Sequence, residues 1–96
     1  MTTYTIPRES KELIGPITVT DGGVAVTTFE VAVVTEEGRP VELDWTAPTL
    51  VSSAYYILVG PGSTRELTPG RWNVWVKYAA SPETPVLEDV GLIVVT

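Results

Sequence analysis

The chain contains no cysteine and no histidine. Without cysteine, neither a disulfide nor a thiolate metal site can supplement the core. Without histidine, the Ser-His-Asp and Cys-His nucleophilic pairs, most zinc sites and the usual near-neutral proton shuttle are excluded. Ser10, Ser52, Ser53, Ser63 and Ser81 have no base beside them in sequence. Long apolar runs are also missing. No segment approaches the roughly 20 apolar residues that a bilayer span requires. The opening MTTYTIPRESKELIG reads as neither signal peptide nor membrane anchor, so the expectation is synthesis in the cytoplasm and no membrane partner.

Other chemistries fail on spacing. Glu36-Glu37 and Glu88-Asp89 are adjacent carboxylates, and adjacent residues on a strand point to opposite faces, so they do not converge for acid–base work. "TDGGV" and "TEEGR" lack the regular oxygen ligands of a calcium loop. Gly60-x-Gly62 has neither a following helix nor the lysine of a phosphate-binding loop. The expectation is a protein that is not an enzyme, with no catalytic residues, no metal and no cofactor.

Cationic charge is scarce. Twelve acidic and six basic residues give a net charge of -6, which repels a phosphate backbone unless the basic residues cluster. Only Arg8 and Lys11 lie near each other; Arg39, Arg65, Arg71 and Lys77 are scattered among acids. No direct nucleic-acid partner is expected.

What the 96 residues do contain is valine, threonine, isoleucine and aromatics, which favour strands. This length makes one domain, and a 44% hydrophobic composition supports a packed core. Helical spacing is not found beyond a possible single turn at 10–15. Strands are expected at Ile17–Thr20, Val24–Thr35, Val41–Trp45, Ser53–Val59, Arg71–Tyr78 and Val86–Val95, with turns such as Asp21-Gly22-Gly23 between them. Roughly seven antiparallel strands with turns every 8–12 residues predict an all-β sandwich over residues 17–96, a small barrel being the alternative. Residues 1–16, interrupted by Pro7 and Gly15-Pro16, read as an N-terminal arm or edge segment, or equally as an ordinary first strand around Tyr4–Ile6.

Two aromatic placements stand out. "RWNVWVKY" alternates Trp72, Val74, Val76 and Tyr78 against Arg71, Asn73, Trp75 and Lys77, which sets Trp75 on the polar face of its strand. Adjacent Tyr55 and Tyr56 must point to opposite faces. Three readings of Trp75 remain open: cover by the stems of Arg71 and Lys77, a protein contact, or a carbohydrate platform shared with Tyr55 or Tyr56. Under the contact reading, Trp75→Ala leaves melting unchanged; under the cover reading, stability falls. Tyr55, Tyr56, Arg8 and Lys11 complete the candidate interaction set.

The corner L-T-P-G-R-W-N-V-W-V resembles the one before the penultimate strand of immunoglobulin-like and fibronectin type III sandwiches. On that resemblance Trp72, Leu67, Pro69 and Gly70 specify the fold, with Trp72 packed beneath the corner and its indole N–H available to donate. The cysteine pair of antibody domains is absent. "EEGRPVELDW" and the closing "ELTPGRWNVWVKYAASPETPVLEDVGLIVV" are similar to hairpins of small immunoglobulin-like structural proteins of tailed bacteriophages. That resemblance, over about two-thirds of the chain, implies a non-catalytic virion protein of the head-decoration, head–tail or baseplate accessory type. Its partners would be capsid, portal or connector, or tail proteins in a symmetric multi-copy assembly, contacted through the arm and one sheet face. The alternative is a carbohydrate-binding or adhesion module using exposed aromatics.

Overall fold

The computed structural model describes residues 2–96, the side chain of Asp89 excepted. The chain is all-β. Nine strands occur among the described residues: β1 Thr2–Ile6, β2 Glu12–Ile17, β3 Thr20–Asp21, β4 Val24–Ala25, β5 Glu30–Thr35, β6 Thr49–Val51, β7 Ala54–Val59, β8 Gly70–Lys77 and β9 Val86–Val95. A four-stranded sheet has the order β1-β9-β8-β5, a three-stranded sheet the order β2-β7-β6, and β3-β4 is a separate hairpin.

Alternation along each strand explains how the two sheets meet. In β8, Val74 and Val76 are buried in the main core while Arg71 lies on the opposite, exposed side. In β7, Ile57 and Val59 are buried, and register pairs Ile57 with Ile14 of β2 on the same side. Val31, Ile93 and Val95 join them from the larger sheet, so the main core is made of the inner faces of both sheets. This is the face-to-face packing that a half-apolar strand pattern requires.

The antiparallel expectation needs one correction. β1 runs parallel to β9, from Thr2 opposite Gly91 to Ile6 opposite Val95. Residues 2–16 lie at sheet edges, the edge-segment alternative. β1 takes one edge of the larger sheet, β2 takes one edge of the smaller, and Ile6 and Ile14 are both buried in the shared core. Pro7 falls in the connection between them, where no ladder hydrogen bond is lost. Gly15-Pro16 coincides with a register shift between Ile14 and Ile17, a place where proline is tolerated within a strand.

Three other expected strands change. Ile17–Thr20 is divided, Ile17 ending β2 and Thr20 opening β3. Val24–Thr35 is broken: Val26 N–H returns to Val19 O at 2.8 Å, and only Glu30–Thr35 pairs with β8. Val41–Trp45 is not a strand. Glu42–Asp44 forms a 3-10 turn in which Asp44 N–H donates to Val41 O and Val41 N–H donates to the Asp44 carboxylate at 2.8 Å. That local side-chain bond offers the backbone an alternative to a sheet ladder. Thr46 alone bridges to β5, through Val31.

Candidate functional site

The described residues contain no group of three or more acidic side chains placed to hold a metal ion. A cleft of about 240 Å³ opens between β1 and β2 and is lined by Tyr4, Ile14, Pro16, Val74 and Val90 among others. A second, of about 400 Å³, lies beside the β3-β4 hairpin against Ile17, Val19, Val26 and Tyr55. Among the described residues neither lining contains a carboxylate, amine or guanidinium. A third cleft brings Asp44, Arg65 and Glu66 together, but two of these already have structural partners. Asp44 accepts from Val41, and Arg65 donates to Val31 O at 2.9 Å and to Thr46 Oγ1. Burial pulls Arg65 below the ordinary arginine pKa; its bonds hold the 46 region against β5.

Trp75 is where sequence and structure part most clearly. Its face of β8 points away from the main core, yet the side chain is only 6% exposed. Ala32 and Val34 of β5 pack beside it, and Trp45 closes over the group. The Arg39 guanidinium lies 5.2 Å from the Trp75 ring centroid, and the Lys77 ammonium 4.6 Å from that of Trp45. Residues 39–46 thus form a strap across the outer face of the larger sheet, fastened by cation–π contacts. Arg39 also reaches Glu88 at 3.4 Å, and Lys77 lies 3.9 Å from Glu30. Of the three readings open for Trp75, the structure shows cover, though not by the stems of Arg71 and Lys77. The cover comes from Arg39 and Trp45, whereas Arg71 pairs with Glu36 at 2.9 Å.

The tyrosines separate as adjacent strand residues must. Tyr55 turns inward, meets Phe29 edge-on with centroids 5.1 Å apart, and donates its hydroxyl to Thr27 O at 3.0 Å. Tyr56 turns outward. Its ring lies over Gly15 so closely that a Cβ there would come within 2.8 Å of Tyr56 Cδ2. Arg8 donates from both its backbone N–H and its side chain to Thr96 O, at 3.1 and 3.2 Å. Lys11 is exposed just before β2, with its Nζ near Gly62.

At the corner, Trp72 Nε1 donates to Thr68 O at 2.9 Å, and Leu67 and Trp72 pack against the main core. Pro69 and Gly70 are exposed, with Gly70 at φ +140°. Trp72→Phe should remove this bond while keeping most of the packing. The expected loss is about 1 kcal/mol, measurable as a small downward shift of the urea midpoint at unchanged slope.

The three comparisons leave the chain unassigned. No family model, curated protein or solved structure matches it.

A surface that the sequence reading only half anticipated then becomes the principal feature. Outward residues of β7 are Ala54, Tyr56 and Leu58; register sets Leu58 beside Leu13 and Ala54 beside Val51. Leu13 and Val51 are 44% and 38% exposed. The smaller sheet therefore presents a contiguous apolar outer face, while the outer face of the larger sheet is crossed by its strap and ion pairs. Val41 and Leu43 are also exposed, but they stand on the strap's tight turn and not on a sheet. "SAYYILV" carried the signal, being apolar on both faces; Leu13 and Val51 become part of the surface only through register.

Proposed function

We propose that this chain is a non-enzymatic structural protein of a tailed-bacteriophage particle, an immunoglobulin-like sandwich that docks on a capsid, head–tail or tail lattice through the outer face of its smaller sheet. The observation that carries the docking role is the asymmetry between the two outer faces. One is strapped and charged; the other sets Leu13 and Val51, both exposed, in register beside the half-buried Leu58, Tyr56 and Ala54. Contiguous apolar patches of this kind on small soluble domains mark interaction sites.

Strand pairing supports the immunoglobulin-like class. With β2, β5, β6, β7, β8 and β9 taken as B to G, the ladders are B-E-D and C-F-G, the two sheets of constant-type domains without strand A. Trp72 at the start of the F-like strand bonds back to Thr68 O, the position and role that a tyrosine has at the corner of those domains. The phage assignment draws on the hairpin resemblances, and fold alone does not carry function. A glycan platform is less well supported, since Trp75 is covered and Tyr55 is turned into the core.

The test is a density gradient of phage lysate probed for this chain. The expected result is banding with particles, and a Leu13→Asp/Val51→Asp variant of unchanged circular dichroism should move to the soluble fractions by roughly tenfold or more, as loss of an apolar interface core predicts. A chain that never bands with particles overturns the reading.

A further inference from the structure

Sheet edges are rows of unpaired N–H and C=O groups, and soluble proteins protect them with proline, charge, brevity or a covering segment. Three of the four edges here are protected. β5 is covered by Thr46, with Val31 N–H to Thr46 O at 2.8 Å and Thr46 N–H to Val31 O at 3.0 Å. β2 contains Gly15-Pro16 and a register shift, and begins at Glu12 directly after Lys11. β6 has three residues and follows Pro48. The exception is β1, Thr-Thr-Tyr-Thr-Ile, which has no charge and no proline.

The direction of its backbone groups can be read from its partner. Thr96 N–H donates to Ile6 O at 2.9 Å, and Arg8 N–H donates to Thr96 O at 3.1 Å. Residues 6 and 8 therefore face β9, and by alternation so do Thr2 and Tyr4. The backbone groups of Thr3 and Thr5 face away from the sheet. Pro7, next in that series, has no N–H, and its carbonyl already accepts from Ser10 at 3.0 Å. Among the described residues the open edge is consequently confined to Thr3 and Thr5, each with one donor and one acceptor.

We propose that β1 pairs with β1 of a second copy of this chain, antiparallel about a two-fold axis at Tyr4. Thr3 of one copy then exchanges both backbone bonds with Thr5 of the other, and symmetry repeats the exchange. Each free donor and acceptor of Thr3 and Thr5 is matched, and the four-stranded sheet continues across the axis into its copy. A segment whose open groups are symmetric about its centre is self-complementary in the way an isologous contact requires. The side chains fit the same register. Tyr4 faces Tyr4 of the copy at the non-hydrogen-bonded position, where side chains come closest, and Thr3 faces Thr5 on the outer face; aromatic and threonine pairs both stabilise neighbouring strands. The net charge of -6 does not oppose the contact locally, because β1 carries none of it.

This pairing stands apart from the role proposed for the smaller sheet, and the Leu13→Asp/Val51→Asp variant should dimerise as the parent does. The experiment is sedimentation equilibrium of the full chain and two variants, with amide exchange on the parent. In Thr3→Lys/Thr5→Lys, like charges face each other across the axis, and the dissociation constant should rise by roughly tenfold or more. In Thr3→Lys/Thr5→Glu, each lysine faces a glutamate, and dimerisation should return to at least the parent level. The Thr3 and Thr5 amides should become protected as chain concentration rises, a readout that does not depend on either variant folding. A parent chain still monomeric at about 1 mM, a dimer indifferent to both double substitutions, or Thr3 and Thr5 amides whose exchange ignores concentration would each overturn the proposal.

Discussion

Trp75→Ala is expected to destabilise the fold by about 3–5 kcal/mol, the range for removing a large aromatic from a packed site. For a domain whose whole stability is on the order of 5–15 kcal/mol, that is a major loss, and the urea midpoint should fall accordingly. The reason is the second, smaller core in which Trp75 sits with Ala32 and Val34 beneath Trp45. Removing the indole would empty the space under the strap and leave Arg39 without its aromatic partner. Trp75→Phe should cost much less. Among the described residues the buried Trp75 indole N–H has no hydrogen-bond partner, so losing it removes an unsatisfied donor worth about 1–3 kcal/mol, which offsets part of the lost area. Equal losses for the two substitutions, or an unchanged midpoint for Trp75→Ala, would show that the strap does not hold the ring in solution.

Gly60→Ala should be nearly as damaging, by a different route. Gly60 follows β7 with φ at +112°, and a Cβ there would overlap the Ser10 carbonyl oxygen and come within 2.8 Å of Lys11 Cα. Those atoms belong to backbone, which cannot swing aside as a side-chain tip can. The conformational strain is worth roughly 1–3 kcal/mol and the overpacking about 1–3 kcal/mol more. Relief would require residues 10 and 11 to move, and they lead directly into β2. A lowered denaturation midpoint together with faster amide exchange in Glu12–Ile14 is the expected signature; a midpoint within 0.5 kcal/mol of the parent, the usual range for neutral surface changes, would contradict it.

The fold was legible wherever strand periodicity carries the information. The two faces of β8 could be read from "RWNVWVKY", and the opposed tyrosines from their adjacency. Both are local consequences of a two-residue repeat. Trp75 could be placed on its outward face by the same count, but what covers it could not. Arg39 and Trp45 lie in a segment with no periodicity of its own, and alternation at Val41–Trp45 imitates a strand that Asp44 prevents by capping Val41. Pro7 and Gly15-Pro16 misled in the opposite direction. They interrupt the apolar pattern as a loose arm would, yet Pro7 marks the connection between two strands in different sheets and Gly15-Pro16 a register shift within the smaller sheet. The proposed docking face was half legible: β7 alone shows that one of Tyr55 and Tyr56 turns outward, whereas which one does, and the addition of Leu13 and Val51 by cross-strand register, depend on tertiary pairing.

The strap has an optical consequence. The chain's three tryptophans divide between two structures: Trp72 is tied to the corner, while Trp45 and Trp75 are held where residues 39–46 cross the sheet. That crossing rests on one short turn, one bridge pair, the Arg65 bonds and two cation–aromatic contacts, the kind of segment that opens locally before the whole fold gives way. Its opening would wet two of the three indoles at once and leave the third in place. Emission should redden in two steps as denaturant rises, the first without loss of strand circular dichroism. The protein thus carries its own fluorescent reporter for one loop, with no label required.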